Sequence, residues 1–276
     1  PWAVVAALAT ALAAGAGWLL LRAPQPAPRQ MIQFTAAVPQ LARAGGGGTG
    51  AIALSPDGTR LAYAAGSPQR LHVRMMDQLE AKPVPGTDDA LSPFFSPDGQ
   101  WLGFFQQGKW KKVQVIGGAT ITLCDGAGGY GASWGHDGTI IFGTTTQGLS
   151  KVSAAGGAPQ AITQLDPKRG DRAHRYPQIL PGGKAVLFAA GAAAFDDAKI
   201  VALSLENNQQ RVLVDGGTYP RYAHTGPAAA GKRGTGHIVY WRSGSLFAVP
   251  FDLARLEVTG SPVPILEGVG GAGQAG

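Results

Sequence analysis

The chain has 276 residues, 45% of them apolar and only 14% charged, a balance that excludes charge-driven disorder. Glycine (42) and proline (20) are abundant but spaced along the chain, as in a protein built from many tight turns, and the length suits one large all-β domain or two average ones. The net charge of +6 is unevenly placed: three of the 23 basic residues precede residue 44 and all 17 acidic residues follow it, leaving only +3 over the rest.

A nucleic-acid groove needs a basic stripe. Only Lys109-Trp110-Lys111-Lys112 comes near one. A solvated strand or turn accounts for that cluster, so no nucleic-acid partner is expected.

Residues 3–21 form 19 consecutive positions without a charge. As a helix they would span ~28 Å, close to the ~30 Å hydrocarbon core. Trp2 and Trp18 flank the run and Arg22 closes it, as interfacial anchors would. A cleaved signal peptide normally has a shorter apolar core behind a basic region, whereas this chain opens at Pro1. The expectation is a transmembrane helix over 1–22 on a fragment of a longer protein, with membrane contact through 3–21. Ala9, Ala13 and Gly17 make a small-residue stripe through which that helix would form a homodimer. Pro24-Gln-Pro-Ala-Pro28 and the glycines 45–48 then read as a linker over 23–48, with an outer strand expected near 30–38.

From residue 49 the chain is a repeat. ALSPDGTRLAYAA (53–65), FFSPDGQWLGFF (94–105), SWGHDGTIIFG (133–143) and QILPGGKAVLFAA (178–190) are four copies. RYAHTG (221–226), resuming as GHIVYWR (236–242), is a weaker fifth, with an insertion over 227–235. Spacings of about 40–45 residues belong to β-propellers, one four-stranded blade per repeat. Each unit predicts an apolar strand, a tight Ser-Pro-Asp-Gly-type hairpin and a near-continuous apolar strand buried on both faces. A more alternating third strand and an outer strand follow, joined by turns such as Gly117-Gly118, Gly156-Gly157 and Asn207-Asn208. The expected fold is all-β, with blades at about 51–85, 91–124, 131–165, 176–214 and 219–266 of a propeller filling 49–276.

These hairpin repeats resemble the TolB-type β-propeller. More narrowly, the stretches 76–105, 131–143, 174–188 and 245–260, behind an apolar segment and a proline-rich spacer, resemble the extracytoplasmic region of bacterial membrane-spanning serine/threonine protein kinases. The resemblance implies six blades, with the last missing here and Gln30 to Val38 lending it an outer strand. It also implies a kinase domain before the membrane segment, a sensor role, and an inner-membrane location with the propeller on the extracytoplasmic side. Two alternatives stay open: a free-standing membrane-anchored envelope scaffold that binds proteins, and the regulatory propeller of a serine peptidase whose catalytic domain lies downstream.

Chemical motifs are weak. Gly131-Ala-Ser133-Trp-Gly135 spells a nucleophile elbow, but it aligns with the hairpin turn of the other repeats instead of leading into a helix. Gly226 to Lys232 lacks the Ser or Thr of a phosphate loop, and Gly45-x-Gly47-x-x-Gly50 precedes a strand instead of following one. The five histidines have no metal spacing. Cys124, the one cysteine, reads as a small buried hydrophobe. No kinase catalytic loop occurs in this stretch. No catalytic residue, cofactor or metal is therefore assigned.

What remains is recognition by loops on a rigid scaffold. The segment 166–176, expected as an inter-blade loop, is dense in charge. It supplies Arg169, Arg172, His174, Arg175 and Tyr176 as candidates, and the tripeptide Arg169-Gly170-Asp171 within it reads as chance. Asp88, Asp89, Asp125, Tyr130, Asp215, Tyr219 and Arg221 come from equivalent loops. Together they would form a rim at one propeller face that takes a protein, a peptide or a small envelope ligand.

Overall fold

The computed structural model describes residues 52–191, 194–225 and 236–270, together with Trp2. The chain divides into two compact units, Pro1–Ala37 and Val38–Gly276. The expected membrane helix (1–22, in contact through 3–21), the linker 23–48, the strand near 30–38 and the insertion 227–235 lie outside the described residues, Trp2 apart. Among the described residues no helix is long and apolar enough to cross a membrane.

The second unit is an all-β propeller of five blades, each a four-stranded antiparallel meander. The first blade holds β1 (Ile52–Leu54), β2 (Arg60–Ala65), β3 (Arg70–Met75) and β4 (Ala81–Pro83). The second holds β5 (Leu91–Phe95), β6 (Trp101–Gln106), β7 (Lys109–Gln114) and β8 (Ile121–Asp125). The third holds β9 (Ala132–Trp134), β10 (Thr139–Phe142), β11 (Ser150–Ser153) and β12 (Gln160–Ala161). The fourth holds β13 (Ala173–Ile179), β14 (Ala185–Gly191), β15 (Lys199–Ser204) and β16 (Gln210–Asp215). In the fifth, β17 (Thr218–His224), β18 (Gly236–Arg242) and β19 (Ser245–Asp252) are followed by an outer edge in two pieces, β20 (Glu257–Val258) and β21 (Val263–Glu267), both paired with β19.

The first hairpins of blades one to three close for a local chemical reason. Ser55 Oγ donates to Asp57 Oδ1 at 2.6 Å and accepts from the Arg60 amide at 2.9 Å. Asp57 also accepts from the Thr59 amide and hydroxyl, at 3.0 and 2.8 Å. Such side-chain bonds mimic a backbone turn. Gly58 takes the left-handed φ of 73° that the turn requires. Ser96, Asp98 and Gly99 repeat the device in the second blade. The third keeps only the aspartate, Asp137, with Thr139.

The unalternating apolar strands are explained by what lies on either side of them. Successive side chains of a strand face opposite ways, and here both sides meet a blade. Phe95 joins the cluster between blades one and two, whereas Phe94 joins the one between two and three. Ile140 and Phe142 face the second blade while Ile141 faces the fourth. Val186 and Phe188 face the third while Leu187 faces the fifth. Five blades thus share four apolar seams. Burying one large side chain fully in such a seam contributes roughly 1.5–3 kcal/mol.

The inner strands pack in chain order, β1 on β5, β5 on β9, β9 on β13 and β13 on β17. No contact of that extent joins β17 to β1 among the described residues. Ile52 and Leu54 of β1 are exposed, as are Val263, Ile265 and Leu266 of β21.

One irregularity recurs. The register of the inner strand slips at Leu91/Phe94, Arg175/Gln178 and Thr218/Arg221. At each slip a residue takes positive φ: Ser92 at 51°, Tyr176 at 55° and Tyr219 at 53°. Gly131, at 82°, holds the matching place before β9. Each stands six residues before its hairpin-turn position, Asp98, Gly182, Thr225 and Asp137 respectively. A bulge of this kind re-aims a side chain and bends the strand.

Candidate functional site: the channel mouth

In an up-and-down blade the loop joining the second and third strands leaves at the same end as the connection into the next inner strand. The candidate rim residues all belong to that end, but the structure sorts them into three groups.

Asp88, Asp125 and Asp215 are held within their own blades. Arg70 Nε, Lys109 Nζ and Lys199 Nζ meet them, each at 2.5 Å. These are half-exposed pairs that mainly fix the start of each third strand, and surface pairs contribute little net stability. Asp89 and Arg172 are exposed.

Arg169 and His174 enter a buried network. His174 Nδ1 lies 2.7 Å from Thr163 Oγ1 and Nε2 lies 3.2 Å from Asp171 Oδ2. Arg169 Nη2 donates to the same carboxylate at 2.9 Å and to Gln210 Oε1 at 3.0 Å. Burial pushes the His174 imidazole below its ordinary range, so it is neutral at pH 7. Burial works against the Asp171 carboxylate, yet bonds from the Asp166 amide, His174 and Arg169 hold it below the usual carboxylate range. With Thr163 also accepting from the Leu149 amide, the network ties the third blade to the fourth. The sequence expectation of a loop over 166–176 is corrected here: residues 173–176 are inner strand, because His174 and Tyr176 are buried by neighbouring blades.

Tyr130, Arg175, Tyr176, Tyr219 and Arg221 do come together. The Tyr176 and Tyr219 rings stack with centroids 3.7 Å apart. Tyr130 meets Tyr176 edge-on at 6.4 Å. The Arg175 guanidinium lies 4.3 Å from the Tyr130 centroid and 5.9 Å from that of Phe195. Arg221 Nη1 donates to the Tyr176 and Pro220 carbonyls, at 3.1 and 2.8 Å. Arg221, on the inner strand β17, is open to solvent. Burial lowers its guanidinium pKa and raises both tyrosines; at neutral pH the arginine stays charged and the phenols stay protonated.

Close packing sets this group. A side chain at Gly143 would meet the Tyr130 carbonyl oxygen at 2.8 Å and the His174 carbonyl oxygen at 2.9 Å. Without one, β13 presses against the third blade, and the Tyr176 amide donates to the Tyr130 carbonyl at 2.8 Å. One step deeper, Ser133 Oγ accepts from the Ile179 amide at 3.0 Å, and Gln178 Oε1 accepts from the Tyr222 amide at 2.7 Å. Sequence reasoning missed Phe195, Gln178, Thr163 and Gln210. The one signal available was the residue-plus-proline pair before three of the turns, Ser92-Pro93, Tyr176-Pro177 and Tyr219-Pro220.

The elbow-like serine is thus a blade-to-blade acceptor, on a strand that turns into a hairpin. Cys124 is packed with Phe94, Trp110 and Phe142. Burial, and then Asp125, push its thiol up to about 11, so it carries no thiolate at neutral pH. Lys109 pairs with Asp125, Lys111 with Gln106 Oε1 and Lys112 with the Ala154 carbonyl. Among the described residues no group of three or more His, Cys, Asp or Glu is placed to hold a metal ion. The phosphate-loop and dinucleotide-like glycine patterns (226–232 and 45–50) lie outside the described residues.

No protein-family model matches the chain, and no curated protein matches it in sequence. Solved structures do share its fold. TolB from Acinetobacter baumannii superposes with a TM-score of 0.58 at 12% identity, over 79% of this chain and 55% of that one. A chain from Agrobacterium tumefaciens assigned to TolB gives 0.55 at 14%, over 79% and 82%. Hydrazine synthase from Kuenenia stuttgartiensis gives 0.55 at 13%, over 86% and 70%. The chain therefore has a TolB-like propeller fold and spans about half the length of the Acinetobacter protein. That a synthase shares the architecture shows how little fold alone says about activity.

Proposed function

We propose that this chain is a non-catalytic recognition propeller, the extracytoplasmic sensor part of a membrane-spanning serine/threonine kinase. Residues 3–21 anchor it in the inner membrane and the kinase domain precedes them. The observation that carries the recognition reading is the channel mouth. Two tyrosines and two arginines on the inner strands of two blades meet Tyr130 there, from the connection into the third blade, while Ser133, Cys124 and His174 are engaged in packing and blade-to-blade bonds. Rigid placement of aromatic and arginine side chains is what binding sites use for affinity at low entropic cost. The chain order supports the kinase part: an uncharged 19-residue run, a proline-rich spacer and then the propeller. A ligand at the mouth would alter helix association across the membrane, and so kinase activity.

The test begins with the coding sequence on both sides of this stretch. Kinase loops upstream and one further hairpin repeat downstream are expected. The full-length protein in vesicles should then autophosphorylate, and Tyr219→Ala should change that activity without loss of folding. A hydrolase region downstream, or no catalytic domain at either end, would overturn the kinase reading; the second result would leave an anchored scaffold.

A further inference from the structure

The charge balance at the channel mouth points to a ligand class. Arg175 and Arg221 lie against one aromatic group: the Arg175 guanidinium is 4.3 Å from the Tyr130 centroid, Arg221 Nη1 bonds the Tyr176 carbonyl, and the Tyr176 ring meets both Tyr130 and Tyr219. All 17 acidic residues fall within the described ranges, and none forms an ion pair with either arginine. Asp196, next in sequence to the Phe195 that faces Arg175, accepts from the Ser243 amide at 2.8 Å. Arg175 Nε is buried with no hydrogen-bond partner. Its guanidinium is held instead by aromatic faces, which fix its plane and leave its donors unspent. Arg221 is bonded through Nη1 alone, to carbonyls. A half-buried guanidinium without a counter-charge, such as Arg175, is costly, and Arg221, exposed beside the same tyrosines, likewise has no carboxylate. By contrast Lys109 and Lys199, at the start of third strands, and Arg211, on an outer strand, each have a carboxylate.

We propose that the channel mouth is an oxyanion site. It takes a carboxylate or phosphate group of a ligand between Arg175 and Arg221, with Tyr219 as the third polar contact and the tyrosine stack as an apolar wall. The paired oxygens of a carboxylate or phosphate match the forked donors of arginine in a way that chloride does not. This inference rests on the channel mouth being the recognition surface and goes further by naming what it recognises.

The experiment uses the full chain, purified in detergent with its apolar N-terminal segment. Sodium acetate and sodium phosphate are titrated in turn at fixed ionic strength made up with chloride, with tyrosine fluorescence and thermal midpoint as readouts. Saturable binding of at least one anion is expected. Acetate preference would mark a carboxylate ligand and phosphate preference a phosphorylated one. Arg175→Gln and Arg221→Gln should each weaken binding by about tenfold or more. Arg211→Gln, which removes the same charge from an outer strand, should leave it unchanged. Should Arg221→Gln fail to fold, Arg221→Lys retains the charge without the fork and should still bind less tightly.

No saturation by either anion overturns the proposal. So does equal loss in Arg211→Gln, or undiminished binding in the channel variants. The titration reads the site alone. It can succeed where the flanking sequence rejects a kinase, and its failure leaves that sequence test standing.

Discussion

Asp57 shows how one carboxylate is bound into the architecture. Hydrogen bonds from Ser55, and then from Thr59, lower its carboxyl from the ordinary value to about 2. Asp98 and Asp137 are lowered in the same direction by the equivalent turns. A group that holds its proton less tightly folded than unfolded stabilises the fold fully above its unfolded pKa, near 3.9 for aspartate. That contribution disappears as pH falls through the folded value. The thermal midpoint should therefore be steady down to about pH 5 and decline between about pH 4 and pH 2. In Asp57→Asn the midpoint should be lower at neutral pH and the acid decline shallower. An unchanged acid slope would mean that the turn carboxylate contributes nothing to folding.

At the scale of the strand and the hairpin, the sequence was most legible where local chemistry repeats. Ser-Pro-Asp-Gly marks a hairpin because its side chains and its glycine satisfy the turn without help from elsewhere. Runs such as Val186-Leu187-Phe188 announced strands buried on both faces, because only a stacked sheet leaves no polar side. The bulge of the inner strand was not legible in this way. A tyrosine at positive φ costs roughly 1–3 kcal/mol and is sustained by its surroundings; here those are the Tyr176–Tyr219 stack and the arginine bonds to carbonyls. Nor could sequence separate Arg175, which faces aromatic rings, from Arg172 three residues before it in the same charged run, since strand direction decides between them.

The glycine at 143 was likewise silent, because its role is the backbone of another blade. Gly143→Ala should destabilise the protein by about 1–3 kcal/mol through overpacking, read from the urea midpoint. It should also disturb the channel mouth, because Arg175 Cα lies 3.1 Å from the added carbon. An unaltered midpoint would show that β13 can retreat from the third blade at no cost.

For the whole molecule, five blades joined by four seams behave as a stack in which each unit leans on its neighbours. Stability in such arrays is approximately a sum of unit and nearest-neighbour contributions. Blades two to four have two seams each; blades one and five have one. Amide exchange of the full chain should therefore be slowest in β10 and β14, whose side chains feed two clusters. It should be fastest in β1 and β21, where Ile52 and Leu54, and Val263, Ile265 and Leu266, remain exposed. Uniform protection across the five blades would show instead that they open as a single unit.

The bulge six residues before each turn has an evolutionary consequence. Ser92, Gly131, Tyr176 and Tyr219 occupy one register on successive inner strands, outside the alternation that commits the rest of the strand to a seam. A mutation there alters what the axial opening presents while the apolar joints keep their register. Because the Tyr176 and Tyr219 rings stack on each other, a change at one blade is felt at the next, so selection on the opening works on neighbouring blades in pairs.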